Sequence, residues 1–323
     1  MTYGPAVLVL NGLTATREQW LAARRTGIGA SEIAAVLGIS PYESPFSLYW
    51  RKKLGTDTPE NEQMEWGRRH EWAIAKKFAE NHAEFYIENP NDTIWRHPDH
   101  PWMLATPDRL LWTLDGDDAD ELIGLAQIKT CYSFDDWGEP GTDQIPAYYR
   151  AQVQQEMAVM GVDRCYVPVL AGGCHYREYV VDYDPADVEL IVKAGAEFMR
   201  RLDADDPPDI DGSEATTRTL KQLHPTVVDE AVTIPQDLAA GYRDARARVQ
   251  IAQLQLVAYE NEIRDHLGPA RTAVYAGRKV AQRYVYDVTR LDTARLRAEH
   301  PDLAAEYTKT STVDALRMIK ETE

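Results

Sequence analysis

Three short apolar runs in close succession, Trp102 to Thr106, Asp108 to Leu114 and Leu122 to Thr130, repeat with the period of two that belongs to strands. They are bracketed by helical patterns at Met64–Phe78 and Pro146–Met160, and two further strand-like runs, Cys165–Leu170 and Tyr176–Val181, follow across Gly172-Gly173. Helices, a strand meander, a helix and more strands in that order predict an α/β (α+β) domain with a central sheet flanked by helices. Upstream, Arg17–Trp50 reads as two helices divided by Gly27-Ile28-Gly29-Ala30, with Ser31 as the N-cap of Glu32–Leu37 and Ser44-Pro45 opening the second. An N-cap leaves helix N–H groups available to an anion.

The helix Pro185–Leu202 runs into Asp203–Thr217, which is rich in Asp, Pro and Gly and reads as a linker. The predicted organisation is therefore a core over 1–202, a linker or loop over 203–218, and an extension over 219–323. In the extension, Pro235–Leu267 is a long helical pattern, Thr272–Val288 a hairpin turning at Gly277-Arg278, and short helices continue to Glu323. No catalytic grouping stands out there, which favours an assembly or partner surface. No apolar run approaches the roughly 20 residues of a membrane span, and Met1–Thr16 lacks the form of a signal peptide. A soluble, cytoplasmic protein is expected. The 3 cysteines have no CxxC spacing and support neither a disulfide framework nor a zinc site.

A net charge of −17 argues against a protein that coats nucleic acid non-specifically. The charge is uneven, however. Arg24-Arg25, Arg51-Lys52-Lys53, Arg68-Arg69 and Lys76-Lys77 crowd the first quarter, and acids collect in Asp115–Glu121 and Asp203–Glu214. A basic surface on an acidic body is compatible with this, as are solvated helix faces.

Glu71 shares a helix face with Ile74, Ala75 and Phe78, so its carboxylate needs an ion pair, a hydrogen-bond network or a metal. Asp108 follows Pro107 at a strand end or bulge, or is a turn aspartate. In Leu125-Ala126-Gln127-Ile128-Lys129, Gln127 and Lys129 fall on one strand face and Ala126 and Ile128 on the other, a pattern that a solvent-facing strand also shows. Taken together, a helix acid, a Pro-Asp on one strand and a polar residue two before a lysine on the next form a set suited to a hard cation such as Mg²⁺ or Mn²⁺ and to phosphodiester chemistry.

This arrangement resembles the PD-(D/E)XK nuclease superfamily, and within it the YqaJ viral recombinase family that includes phage lambda exonuclease. The resemblance covers about Thr16 to Leu202 and rests on five ordered matches. These are Arg24 through Gly-Ile-Gly-Ala-Ser31-Glu32; Trp66-Gly67-Arg68-Arg69-His70-Glu71; Thr106-Pro107-Asp108; Gln127-Ile128-Lys129-Thr130; and Tyr149-Arg150-Ala151-Gln152-Val153-Gln154. It implies a restriction-endonuclease-like core with a central mixed sheet. Asp108, Gln127 and the Ile128 carbonyl would bind Mg²⁺ (Mn²⁺ can substitute), with Glu71 assisting through a second metal or its water. Lys129 would position the attacking water, with Tyr149 and Gln152 beside the site. Arg24 and Ser31 would hold a terminal 5′-phosphate, and Arg25 and Arg109 are possible DNA contacts.

The implied activity is 5′-to-3′ digestion of double-stranded DNA ends in phage-type recombination, in a host cytoplasm. The implied partners are a RecT/Red-beta-like single-strand annealing protein and further copies of the chain in a ring-shaped homo-oligomer. Two departures qualify the pattern. Gln127 stands where relatives usually carry Glu and lacks its charge, which opens the alternative of a catalytically weakened DNA-end-binding module or an engineered knock-out. Arg109 replaces a common glycine, as a phosphate contact or a surface charge. A PD-(D/E)XK endonuclease is the third reading.

Overall fold

A computed structural model describes residues 4–57, 61–115 and 118–316, with the side chains of 115 and 118–120 left out of the description. Gly116-Asp117, within the acidic stretch Asp115–Glu121, and the last residues after Leu316, where short helices were expected to continue, lie outside it. The chain divides into two compact units, Met1–Pro225 and Thr226–Glu323.

The first unit begins with β1 (Val7–Leu10), α1 (Arg17–Arg25), β2 (Ile28–Gly29), a 3₁₀ turn (Ala30–Glu32), α2 (Ile33–Val36), α3 (Pro45–Leu54) and α4 (Glu62–Asn81). Then come β3 (Phe85–Glu88), β4 (Ile94–Arg96), β5 (Met103–Ala105), β6 (Arg109–Asp115), β7 (Asp118–Ala126) and β8 (Lys129–Cys131). It closes with α5 (Ala147–Met160), β9 (Arg164–Ala171), β10 (His175–Asp182), α6 (Pro185–Asp203) and α7 (Glu214–Leu223). The Ser44-Pro45 signal acts as expected: Ser44 accepts from the Ser47 N–H with Pro45 in the first turn of α3. α4 starts at Glu62, two residues before the expected Met64, where Asn61 accepts from the Met64 N–H.

The strands form a mixed sheet in the order β10-β9-β7-β6-β3, with β8 also on β9, and a smaller sheet in the order β1-β4-β5-β2. β7 and β8 run parallel to β9 in one continuous register, Leu125 opposite Cys165 and Lys129 opposite Val169. Alternate residues of the main sheet serve different layers. Ile74 and Ala75 of α4 pack on Ile128, and Phe78 packs on Leu111 and Ala126. Leu110, Trp112, Leu125, Val167 and Val169 turn the other way, into the core shared with α5. Helices thus flank the sheet on both faces, as the strand period required.

α5 is the central helix. Every residue from Ala151 to Met160 is buried, polar ones included, because the helix packs against β5, β9, α2 and α6 at once. Gln155 shows how its amides are accommodated: Nε2 donates to the carbonyls of Ile28 and Leu104, at 2.8 and 2.9 Å, tying the helix to β2 and β5. Gly27 is needed just before β2, since a Cβ there would lie 2.1 Å from the Trp102 carbonyl oxygen.

Three expectations are corrected. Ser31 is not an N-cap: the 3₁₀ turn starts from Gly29, whose N–H donates to Glu32 Oε2 at 2.8 Å, and only the four-residue α2 follows. The two predicted helices of Arg17–Trp50 are three, α1, α2 and α3. The stretch 203–218 lies inside the first unit rather than between units, because α7 packs on α3, with Ser44 Oγ and Thr216 Oγ1 2.7 Å apart in a buried hydrogen bond. β1, β2, β3 and β4 were not anticipated.

The second unit contains α8 (Gln236–Leu267), the hairpin β11 (Thr272–Tyr275) and β12 (Arg278–Gln282), and the short helices α9 (Thr293–Glu299) and α10 (Pro301–Glu306). The hairpin turns at Ala276-Gly277, both with positive φ (48° and 77°), and ends at Gln282 rather than Val288. Among the described residues no helix is long and apolar enough to cross a membrane.

Candidate active site

The site forms where β6 and β7 part. Their antiparallel pairing stops at Arg109 opposite Ala126, while β7 and β8 keep their register on β9. At this fork, side chains replace the ladder. The Asp108 N–H donates to Gln127 Oε1 at 3.2 Å, and the Ile128 N–H donates to Asp108 Oδ2 at 2.7 Å. Two backbone donors that the divergence would orphan are satisfied by the two polar side chains that open it.

Gln127 and Lys129 point to the α5 side and Ile128 to the α4 side, so the period-two reading survives the break in the strand. Lys129 Nζ donates to Gln152 Oε1 at 2.9 Å and lies 4.9 Å from the centroid of the Tyr149 ring, which itself packs on Trp137. Gln152 passes the contact on, its Nε2 donating to Glu156 Oε1 at 2.9 Å. Burial pushes the Glu156 carboxyl up to about 8, against the pull of Lys129 and Gln152. Its Oε2 is buried without a hydrogen-bond partner among the described residues. Glu156 was not singled out from sequence. The signal was there, a lone acid four residues after Gln152 in an otherwise uncharged run from Ala151 to Met160.

Burial also pushes the Asp108 carboxyl up to about 6, with the Glu71 charge adding to it and Lys129 opposing. Glu71 sits beside the fork on α4 and accepts from Arg109 Nη1 at 2.8 Å, and the same nitrogen donates to the Asp108 carbonyl. Of the options open to a carboxylate on that face, the ion pair is realised. Arg109 is therefore no surface charge. It is 7% exposed and tied to Glu71.

Arg24 and Ser31 also meet, Arg24 Nη2 donating to Ser31 Oγ at 3.1 Å. Behind them is an ion cluster. Glu32 accepts from Arg51 at 2.8 Å and from Lys52 at 2.9 Å, with Arg24 at 3.8 Å, and Arg51 also binds Glu43. Burial alone would push the Glu32 carboxyl up, but Arg24, Lys52 and Arg51 outweigh it and hold it down at about 2. The Lys52 ammonium is pulled below its usual value by burial despite Glu32, because one carboxylate is shared among three cations. Three cations against Glu32 and Glu43 leave an excess of positive charge beside Ser31. Arg25, by contrast, faces Asp57 at 3.4 Å on the surface, Lys53 pairs with Asp205, and Arg69 pairs locally with Glu65.

The donors at the fork are all oxygen: the Asp108 carboxylate, the Gln127 amide oxygen, the Ile128 carbonyl and, alongside, Glu71. Among the described residues no group of three or more His, Cys, Asp or Glu is arranged for a metal. Two carboxylates with neutral oxygens are nonetheless a usual complement for Mg²⁺, which keeps several waters and completes its shell with phosphate. The residues present fit such an ion.

An α/β core with a helix acid, an aspartate immediately before β6 and a Gln-x-Lys that bridges β7 and β8 resembles the arrangement of the PD-(D/E)XK nuclease class, with Gln127 in place of the usual acid. Residues 19–163 match the model of the YqaJ-like viral recombinase domain. It is 27% identical to the YqaJ protein of Bacillus subtilis (strain 168) over 316 residues, 94% of each chain. Among solved structures it is similar to LHK-Exo, an alkaline exonuclease from Laribacter hongkongensis. One structure, in complex with dAMP, is 22% identical, with a TM-score of 0.46, and the match covers 64% of this chain and 98% of that one. A second is 23% identical, with a TM-score of 0.45, and covers 64% and 99%.

Proposed function

We propose that this chain is a divalent-metal-dependent exonuclease that digests double-stranded DNA from its 5′ ends, leaving 3′ strands for phage-type recombination. The observation that carries the reading is the fork, where Asp108 donates its N–H to Gln127 and accepts from the Ile128 N–H across diverging strands, beside a lysine anchored from α5. When bound, Mg²⁺ or Mn²⁺ supplies Lewis-acid polarisation of the scissile phosphate. Asp108, Gln127 and the Ile128 carbonyl would hold it, with Glu71 at its flank.

The chain's own residues do the rest. Lys129, fixed by Gln152 and the Tyr149 ring, has one orientation from which to align an attacking water and offset charge building on the phosphate. The Glu156 carboxyl, kept neutral at pH 7, holds Gln152 without adding a charge that would compete for Lys129. Arg24 and Ser31 take the terminal 5′-phosphate, backed by the positive excess around Lys52. The partners proposed with this reading are a duplex end, a single-strand annealing protein and further copies of the chain in a ring, where only the channel need be basic.

The test is digestion of an end-labelled linear duplex with Mg²⁺, Mn²⁺ or EDTA, comparing 5′-phosphate with 5′-hydroxyl ends and linear with closed circular DNA. Metal-dependent loss of 5′-phosphorylated ends is expected, and cutting of the circle would instead indicate an endonuclease. Arg24→Ala should reduce the preference for 5′-phosphate by about 10- to 100-fold, the worth of a charge-assisted contact. An unchanged preference would remove Arg24 and Ser31 from that role.

Gln127 and the Arg109–Glu71 ion pair favour one other reading, an end-binding module with weakened cleavage. Gln127→Glu retains an acceptor for the Asp108 N–H and adds a charge, so it should lower the Mg²⁺ concentration for half-maximal rate by about tenfold. A metal titration of the rate checks this. Cleavage by the Glu variant alone would establish the weaker reading.

A further inference from the structure

α8 is a 32-residue helix that buries only Leu267 in its own unit. A helix of this length draws most of its stability from packing an apolar face, and here that face is open. Starting at Leu238, apolar residues recur at alternating steps of four and three through Tyr242, Ala245 and Val249, then Ala252, Leu256, Tyr259 and Ile263. This is an uninterrupted seven-residue repeat, the signature of a left-handed coiled coil. Leu238, Val249, Leu256 and Tyr259 on the seam are 51 to 66% exposed.

The charges flanking the seam identify the occupant and its direction. Arg246 and Arg248 flank the first half, Gln253 and Gln255 the middle, and Glu260 and Glu262 the second half. Parallel pairing in register would stack the arginine bands together and the glutamate bands together. Antiparallel pairing about a two-fold axis at Leu254 sets Arg246 opposite Glu260 and Arg248 opposite Glu262 of the other helix, with the glutamines meeting at the axis. The same axis fits the seam by size: Val249 faces Tyr259, Ala252 faces Leu256 and Ala245 faces Ile263. Arg248 and Glu260 already contact Asp244 and Arg264 along their own helix, at 3.0 and 3.8 Å, but these pairs are exposed and weak.

We infer that α8 pairs antiparallel with α8 of a second copy of this chain, so that the assembly contains an even number of subunits. The inference does not depend on the proposed nuclease activity, and its test reads mass and cross-linking only.

In the full-length chain with the exposed Cys174 replaced by Ser, Val249→Cys together with Tyr259→Cys should cross-link into covalent dimers on oxidation. Either cysteine alone should not, because its copy lies about 15 Å away along the axis, ten residues at ~1.5 Å each. Leu256→Glu should halve the mass measured by sedimentation, and Leu254→Glu, on the outer face, should leave it unchanged. Arg246→Glu with Arg248→Glu should also halve it, and adding Glu260→Arg with Glu262→Arg should restore it. Cross-linking by Val249→Cys alone would show a parallel pair, and an unchanged mass in Leu256→Glu would show that the seam is covered by something other than a second α8. Either result overturns the inference.

Discussion

Asp108→Asn is expected to lower the rate of duplex-end digestion by about 10³-fold while leaving the fold intact. Asparagine keeps an oxygen to accept the Ile128 N–H, so the fork stays closed and only the charge is lost. The same substitution should stabilise the metal-free protein. Burial holds the Asp108 carboxyl at about 6, above its ordinary 3.8, so the folded state binds the proton more tightly than the unfolded state. Stability attributable to this group is full below pH 3.8 and is lost as pH rises through 6. At pH 8 in EDTA the ionised form therefore costs on the order of 2–3 kcal/mol, and Asn relieves it. Thermal unfolding in EDTA across pH 4 to 8 checks this: the variant and the parent should coincide near pH 4, diverge between pH 4 and 6, and stay apart by a constant amount above 6. A variant that digests DNA at the parent rate would refute the assignment of Asp108.

The largest effect on folding is expected at Glu32. Glu32→Ala removes the carboxylate around which Arg24, Arg51 and Lys52 converge, leaving a buried ammonium with no counter-charge of its own, and should destabilise by about 3–5 kcal/mol in urea unfolding at pH 7. The pH dependence has the opposite sense to that of Asp108. The Glu32 carboxyl is held down at about 2 against an ordinary 4.5, so its contribution is present above pH 4.5 and is lost as pH falls toward 2. Between those limits about 3 kcal/mol should disappear in the parent and not in the variant. A loss under 1 kcal/mol at pH 7 would show that the cluster is a surface ion network rather than a buried one. Because Arg24 is both the cluster's third cation and the donor to Ser31, the variant should also weaken the preference for 5′-phosphorylated ends, measurable on the same substrates as Arg24→Ala.

Much of the site was legible in sequence because its residues follow local rules. The period of two places Gln127 and Lys129 on one face even though the strand is interrupted between Ala126 and Lys129, since pairing to β9 carries the register through the gap. The helix period places Glu71 with Ile74, Ala75 and Phe78, and the order of helix, strand and strand brings that face to the end of β6. The cap of α3 depends on residues three apart and was equally readable.

Other features depend on partners far away in the chain. Arg109 reads as a surface charge or a phosphate contact until α4 brings Glu71 to it. Ser31 reads as an N-cap until Glu32, drawn inward by Arg51 and Lys52, takes the Gly29 N–H and starts the turn earlier. α5 has no clear amphipathic face because it is enclosed on several sides, so Glu156 could not be separated from its neighbours by periodicity. α7 looked like the end of a linker because its burial comes from α3, some 170 residues earlier, through Ser44 and Thr216.

By itself, then, the sequence determined the alternation of strand and helix faces, the position of each acid and lysine on its element, and the seven-residue seam of α8, since all of these are set by spacing along the chain. Only the tertiary structure decided which charges meet, which carboxyls burial holds protonated toward neutral pH, and where the first unit ends. Those outcomes depend on distances and dielectric surroundings created by residues remote in sequence.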